Sequence, residues 1–288
     1  MKSTNPVFSR WGAARDAAPV DAYTRHPVGA TAGGQPADDY LTNPYAPAAG
    51  AGPDAGVRTT RTAITMDDVV VRTATTLGTV ALTAVLSWLL LPVDEANIGR
   101  SYGIAVGAAL VAFVLSMIQA FKRAPSPALI LGYAAFEGVF LGVISSATST
   151  YIAPGVVVQA VLGTFAVSAG VLIAYRMRWI RVDRRFTGFV ASAATGFLLL
   201  LAADLLFSAF GAGNGLGFHS GGLGILFGVV GILLGAAFLA VDFKQVEDAV
   251  AYGAPREEAW LAAFGLTTTL VWIYLEVLQV LTILNSDN

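Results

Sequence analysis

Val271-Trp272-Ile273-Tyr274-Leu275-Glu276-Val277-Leu278-Gln279-Val280 is an apolar run broken by one carboxylate. It lies within residues 259–284, a stretch long enough to cross the ~30 Å hydrocarbon core of a bilayer, which takes about 20 residues as a helix. A charged group at the centre of a membrane helix costs roughly 2.5–3.5 kcal/mol on insertion scales. Such a residue is seldom kept for packing; it lines an ion path, relays protons or pairs inside a bundle. The run therefore predicts both a transmembrane helix and a functional position, Glu276.

Six more apolar stretches precede it, at about 68–92, 101–121, 128–149, 155–175, 187–210 and 221–243. The whole chain is 56% hydrophobic and 12% charged, with a mean hydropathy of +0.67. Soluble domains carry about 25% charged residues, so the expected fold class is an all-α membrane protein of seven transmembrane helices. Thr65-Met66-Asp67-Asp68 resembles a capping box at the start of the first helix. Pro92, Pro125, Pro127 and Pro154 fall at expected helix ends. Gly103 with Gly107, Gly224 with Gly228, and Gly231 with Gly235 are each four apart, a spacing that lets helices approach closely.

Two domains are expected. Residues 1–62 are rich in Ala, Pro, Gly and Asp and read as a disordered cytoplasmic tail, a tether or a docking arm using Phe8, Trp11, Tyr40 and Tyr45. Residues 63–288 form the transmembrane domain. No apolar signal segment is visible in the first 30 residues. Lys122, Arg123, Arg176, Arg178, Arg181, Arg184, Arg185, Lys244 and Arg256 fall in one set of alternate loops, and Arg58, Arg61 and Arg72 sit before or early in the first helix. The other set holds only Arg100. The positive-inside rule then places the N-terminus in the cytoplasm and, after seven spans, the C-terminus outside. Fourteen Arg against three Lys suggest a GC-rich bacterial genome, hence a bacterial inner membrane.

Three further carboxylates sit in apolar surroundings. Glu137 lies in Tyr133-Ala134-Ala135-Phe136-Glu137-Gly138, where Gly138 leaves room for a neighbouring backbone. Asp204 lies in Leu201-Ala202-Ala203-Asp204-Leu205, toward the outer half of the fifth helix. Asp242, in Leu239-Ala240-Val241-Asp242-Phe243-Lys244-Gln245-Val246-Glu247, falls near the cytoplasmic end of the sixth, either as an interfacial residue meeting water or as part of a path. Two carboxyls that approach closely cannot both ionise cheaply, so such a pair shares one proton and acts as a pH-sensitive latch or a hard-cation site. Calcium suits carboxylate ligands; the absence of Cys and the two His argue against zinc or copper.

Other chemistries fail on inventory. Lys2, Lys122 and Lys244 are the only lysines, so the last helix offers none for a retinal Schiff base. Gly211 to Gly217 is glycine-rich but lacks the Lys-Ser/Thr of a phosphate loop. His219-Ser220 has only the distant His26 to join it, which argues against serine-protease chemistry. Asp204 and Asp242 should lie at opposite depths, which disfavours an aspartyl protease. No enzymatic activity or cofactor is expected, and a net charge of −2 suggests no nucleic-acid partner. The expected partners are the lipid bilayer, protons and cations.

Val241-Asp242-Phe243-Lys244-Gln245-Val246, Ile273-Tyr274-Leu275-Glu276-Val277 and Glu137-Gly138-Val139-Phe140-Leu141-Gly142-Val143-Ile144 resemble segments of the Bax-inhibitor family, the transmembrane Bax inhibitor motif proteins, over residues 65–285. The resemblance implies six helices around a central seventh and a pH-sensitive calcium leak. It implies that Asp242 and Glu276 are the acidic pair that shares a proton and locks the pore, with Glu276 standing where the family usually has aspartate. It also implies a basic cluster that engages the helix-six acid, for which Lys122 and Arg123 are the nearest match. Counting along the helices, however, places Asp242 near the cytoplasmic face and Glu276 near mid-membrane. A seventh helix starting a turn or two later, near Thr267, would bring them closer. Two other functions fit the same residues: a proton-coupled transporter of a small solute, and a non-transporting stress-regulatory protein that binds a partner through its tail.

Overall fold

A computed structural model describes residues 63–122, 124–210, 216–218 and 220–286. The tail at 1–62, Arg123, His219 and most of the glycine-rich stretch lie outside the described residues. Among the described residues, seven helices long and apolar enough to cross a membrane follow one another: α1 Met66–Leu90, α2 Ile98–Phe121, α3 Pro127–Tyr151, α4 Val156–Arg176, α5 Arg184–Ala209, α6 Gly221–Ala251 and α7 Glu258–Ser286. The protein is a multi-pass, all-α membrane protein.

The helix starts follow local chemistry. Thr65 accepts from the Asp68 amide at 3.1 Å and the Asp68 carboxylate accepts from the Thr65 amide, closing the expected capping box. Pro127 opens α3 at its first turn, where its missing N–H costs nothing. Asp183 caps α5 by accepting from the Phe186 amide at 2.7 Å.

α6 runs eight residues beyond the stretch expected from hydropathy. Lys244 bonds Asp248 one turn on at 2.7 Å and lies 3.8 Å from Glu247, so the helix continues through its polar end. It stops where Gly253 takes a positive φ of 65°, with Ala254 N–H bonded to Ala249 O and Gly253 N–H to Val250 O, a Schellman cap. The connection to α7 is therefore short, and α7 begins at Glu258 rather than near Thr267.

α7 is the most deeply buried of the seven and packs against α1, α3, α4 and α6. α2 lies on α3, and α5 lies on α6. α5 reaches the centre through Phe197, which stacks on Phe227 at 4.3 Å between ring centres and meets Trp272 of α7 at 5.7 Å. The central seventh helix is as expected, but its ring is incomplete, with α2 held at the periphery.

The glycine pairs divide. Gly228, Gly231 and Gly235 on α6 each receive an α7 side chain, respectively Val280, Glu276 and Ile273. Gly138 and Gly142 on α3 take the α1 backbone at Val80 and Ala84, as the sequence suggested for Gly138. Gly103 and Gly107 face open space instead, because α2 turns other residues to α3.

At the arginine-rich end, the residues before α1 are strapped to the α6–α7 turn. Ala63 pairs with Pro255 in the one extended contact among the described residues, and Ile64 N–H bonds Ala254 O at 2.8 Å. Arg256 Nε bonds Asp68 Oδ1 at 2.7 Å. Arg72 donates to the Arg256 carbonyl and lies 5.6 Å over the Trp260 ring.

Candidate functional site

α7 carries polar groups on two opposite faces, each pair seven residues apart, which on a helix is nearly two full turns. Thr267 and Tyr274 face α1 and α3. The Thr267 hydroxyl lies 2.7 Å from that of Thr76, and Tyr274 Oη lies 2.6 Å from Ser145 Oγ. Thr269 and Glu276 face α6. Thr269 donates to Asp242 Oδ2 at 2.6 Å.

Asp242 is wholly buried. With α6 extended to Ala251, it sits more than two turns inside the helix, not at its end, which overturns the interfacial reading. Its neighbours in sequence, Val241 and Leu239, belong to the core.

Glu276 reaches α6 elsewhere. Its carboxyl occupies the space beside Gly231, where a Cβ would lie 2.5 Å from Glu276 Cδ. Its Oε2 is buried and has no hydrogen-bond partner. Gly231 and Asp242 are eleven residues apart on α6, about 16 Å of helix rise. The two acids thus lie at different depths of one seam and do not form the direct pair that the resemblance implied. The physical reason is the antiparallel register: α7 starts early, so Thr269, not Glu276, arrives opposite Asp242. Nor can the two hold one calcium ion together, since that ion draws its oxygens from within about 2.6 Å. Among the described residues no group of three His, Cys, Asp or Glu is placed to hold a metal.

Other expected residues go elsewhere. Asp204 on α5 is buried and accepts from the Leu216 amide at 2.6 Å, anchoring the α5–α6 connection. Glu137 is half-buried on α3, beside the close α1–α3 seam at Gly138. Lys122 caps α2 and is exposed on a helix that packs against α3, so it is not placed to engage buried Asp242; Arg123 lies outside the described residues. The cation nearest in sequence to Asp242, Lys244, is engaged by Asp248 and Glu247.

Sequence reasoning missed Thr269, Tyr274 and Ser145 as partners. The run Thr267-Thr268-Thr269 in an apolar span was the available signal. Hydroxyls there can bond their own preceding turn, as Thr268 does to Phe264 O at 2.9 Å, so the run alone does not reveal contacts between helices.

A family model described as Bax inhibitor 1 like matches residues 5–286. The chain belongs to this family. The match begins sixty residues before the segment that carried the resemblance, so the Bax inhibitor 1 like relationship includes the tail. No curated protein matches the chain. Within this Bax inhibitor 1 like protein, two of the segments that carried the resemblance map onto the central seam, with Asp242 on α6 and Glu276 on α7, and the third, from Glu137 to Ile144, lies on α3 against α1.

Proposed function

We propose that this protein mediates proton-regulated cation flux, with calcium as the cation, along the seam between α6 and α7. The observation that carries this reading is the placement of two carboxylates, Asp242 and Glu276, at different depths on facing sides of the most buried helix pair. Family membership supports it. Buried carboxylates in a membrane bundle are costly and mark ion or proton paths.

In this reading the acids act as two stations rather than one shared-proton latch. Protonated, each is neutral and offers a cation little. Deprotonated, each attracts a cation, so flux rises with pH. Thr269 holds Asp242 in a fixed direction, and Gly231 leaves the space through which Glu276 faces α6. The chain sits in a bacterial inner membrane, with the arginine-rich end toward the cytoplasm.

The test is calcium entry into liposomes holding the purified full-length chain, read by a trapped dye across a pH series. Wild-type flux rises with pH, and Asp242→Asn and Glu276→Gln each flatten that rise. Wild-type profiles in both variants would defeat the proposal. The separation of the acids also favours a second reading, a proton relay in a small-solute transporter; solute-driven proton uptake into the same liposomes would select it.

A further inference from the structure

A groove of about 1170 Å³ opens between α1, α4, α6 and α7 at the arginine-rich end. Ordinary small-molecule sites measure about 300–1,000 Å³, so the volume suits a larger, elongated ligand. Its walls are apolar: Val69 and Leu77 of α1, Leu172 of α4, Leu239 of α6, Leu266 and Leu270 of α7. Val70 and Phe165 at its edges are exposed, so it opens sideways, toward the surrounding lipid.

The depth is informative. The lining runs from Met66 to Leu77 on α1 and from Phe165 to Arg176 on α4. Each interval is eleven residues, about 16 Å of rise, close to half of the ~30 Å hydrocarbon thickness. The groove is as deep as one leaflet.

Its lip is cationic. Arg176, Arg178 and Arg181 line it and are exposed. Among the described residues none of the three forms an ion pair with a carboxylate. The one acid on the lip, Glu247, is occupied: Tyr175 donates to it and Lys244 lies 3.8 Å away. Arg178 is held at φ 60°, the left-handed region that a residue with a side chain adopts at a cost. Trp179 beside it is 72% exposed, an aromatic anchor of the kind found at the headgroup level. Arg184 and Arg185 belong to the same end but line a separate hollow.

We propose that this groove is a binding site for one anionic glycerophospholipid, with its phosphate held by Arg176, Arg178 and Arg181 and its acyl chains lying along α1 and α4. Guanidinium groups suit phosphate because they donate bidentate hydrogen bonds. The lipid would wedge α4 against α1 and α6, next to the helix that carries Glu276.

The full-length chain, purified in detergent, is mixed with equal amounts of phosphatidylglycerol and phosphatidylcholine of identical acyl chains, and bound lipid is counted by native mass spectrometry. Phosphatidylglycerol should be retained preferentially. The triple variant R176Q/R178Q/R181Q should lose it by on the order of 100-fold, the factor that three basic side chains supply at an anionic surface. R184Q/R185Q, which removes charge at the same end outside the groove, should retain it. A169F, which narrows the apolar wall while keeping every arginine, should lose it too, and provides a test should the triple variant not fold. Equal retention of the two lipids, equal losses in R184Q/R185Q and the triple variant, or undiminished retention in A169F would each overturn the site. So would displacement of the lipid by inorganic phosphate alone, because the apolar groove would then contribute nothing.

Discussion

The carboxyl group of Glu276 occupies the space that any side chain on Gly231 would need, so that an added Cβ would lie 2.5 Å from Glu276 Cδ and 2.6 Å from Oε2. An acid in the middle of a bundle is thus accommodated by a missing side chain on the facing helix. Glu276→Gln preserves the shape, while a change at Gly231 alters the shape and leaves the charge.

Gly231→Ala should therefore destabilise the protein by about 1–3 kcal/mol, the usual cost of overpacking. Gly235→Ala, which meets Ile273 Cγ1 at 2.7 Å, should behave similarly. Gly107→Ala meets nothing and should be neutral or stabilising by up to about 1 kcal/mol through helix propensity. Thermal unfolding in detergent ranks the three, and equal effects at Gly231 and Gly107 would contradict the packing described here.

Thr269→Val keeps the side-chain shape and removes the hydroxyl that donates to Asp242. The expected loss is about 1–3 kcal/mol, the penalty for stripping a partner from a buried polar group. Thr269→Ser should recover most of it. Denaturation midpoints of the two variants decide the point; indistinguishable midpoints would mean that the hydroxyl contributes nothing.

Because Glu276 lies two turns along α7 from Thr269, the partner of Asp242, about 10 Å of rise, substitutions at the two acids should act independently on stability. The double variant Asp242→Asn/Glu276→Gln should show the sum of the single effects within about 0.5 kcal/mol. A directly coupled pair would instead show a clear interaction energy, and a double-mutant cycle on unfolding free energies would reveal it.

Asp68→Ala should cost more than Arg256→Ala. Asp68 both closes the capping box with Thr65 and receives Arg256, whereas the Arg256 side chain is 57% exposed and supplies only the ion pair. Exposed pairs contribute about 0–1 kcal/mol. Proteolysis near residue 63 would report loosening of the strap, and greater sensitivity in Arg256→Ala than in Asp68→Ala would reverse this assignment.

The chain has no Cys, so single cysteines report orientation. The positive-inside reading predicts that Glu95→Cys reacts with a membrane-impermeant maleimide in intact cells, while Arg181→Cys reacts only after permeabilisation. The opposite labelling pattern would invert the topology.

The seven spans, the capping box at Thr65 and the positions of Asp242 and Glu276 within apolar stretches could be read from the sequence because each is a local property. Hydrophobic run length defines a span without reference to any neighbour. Thr65 and Asp68 are three residues apart, so their bond needs no tertiary contact. Gly231 was flagged by its spacing to Gly235, but the same spacing at Gly103 and Gly107 carried no such packing. Spacing marks a helix face and cannot say what covers it.

Tertiary structure alone decided the register of α7 against α6. Continuing α6 through Lys244 and Asp248 to Gly253 shortened the connection to α7, and that brought Thr269 rather than Glu276 opposite Asp242. It likewise placed Asp204 on the Leu216 amide, left Lys122 exposed, and gathered three arginines from the end of α4 and the loop beyond it onto the lip of one groove. Composition fixes which residues must leave water, but a slide of two turns between two equally apolar helices changes every polar contact and leaves hydropathy unaltered.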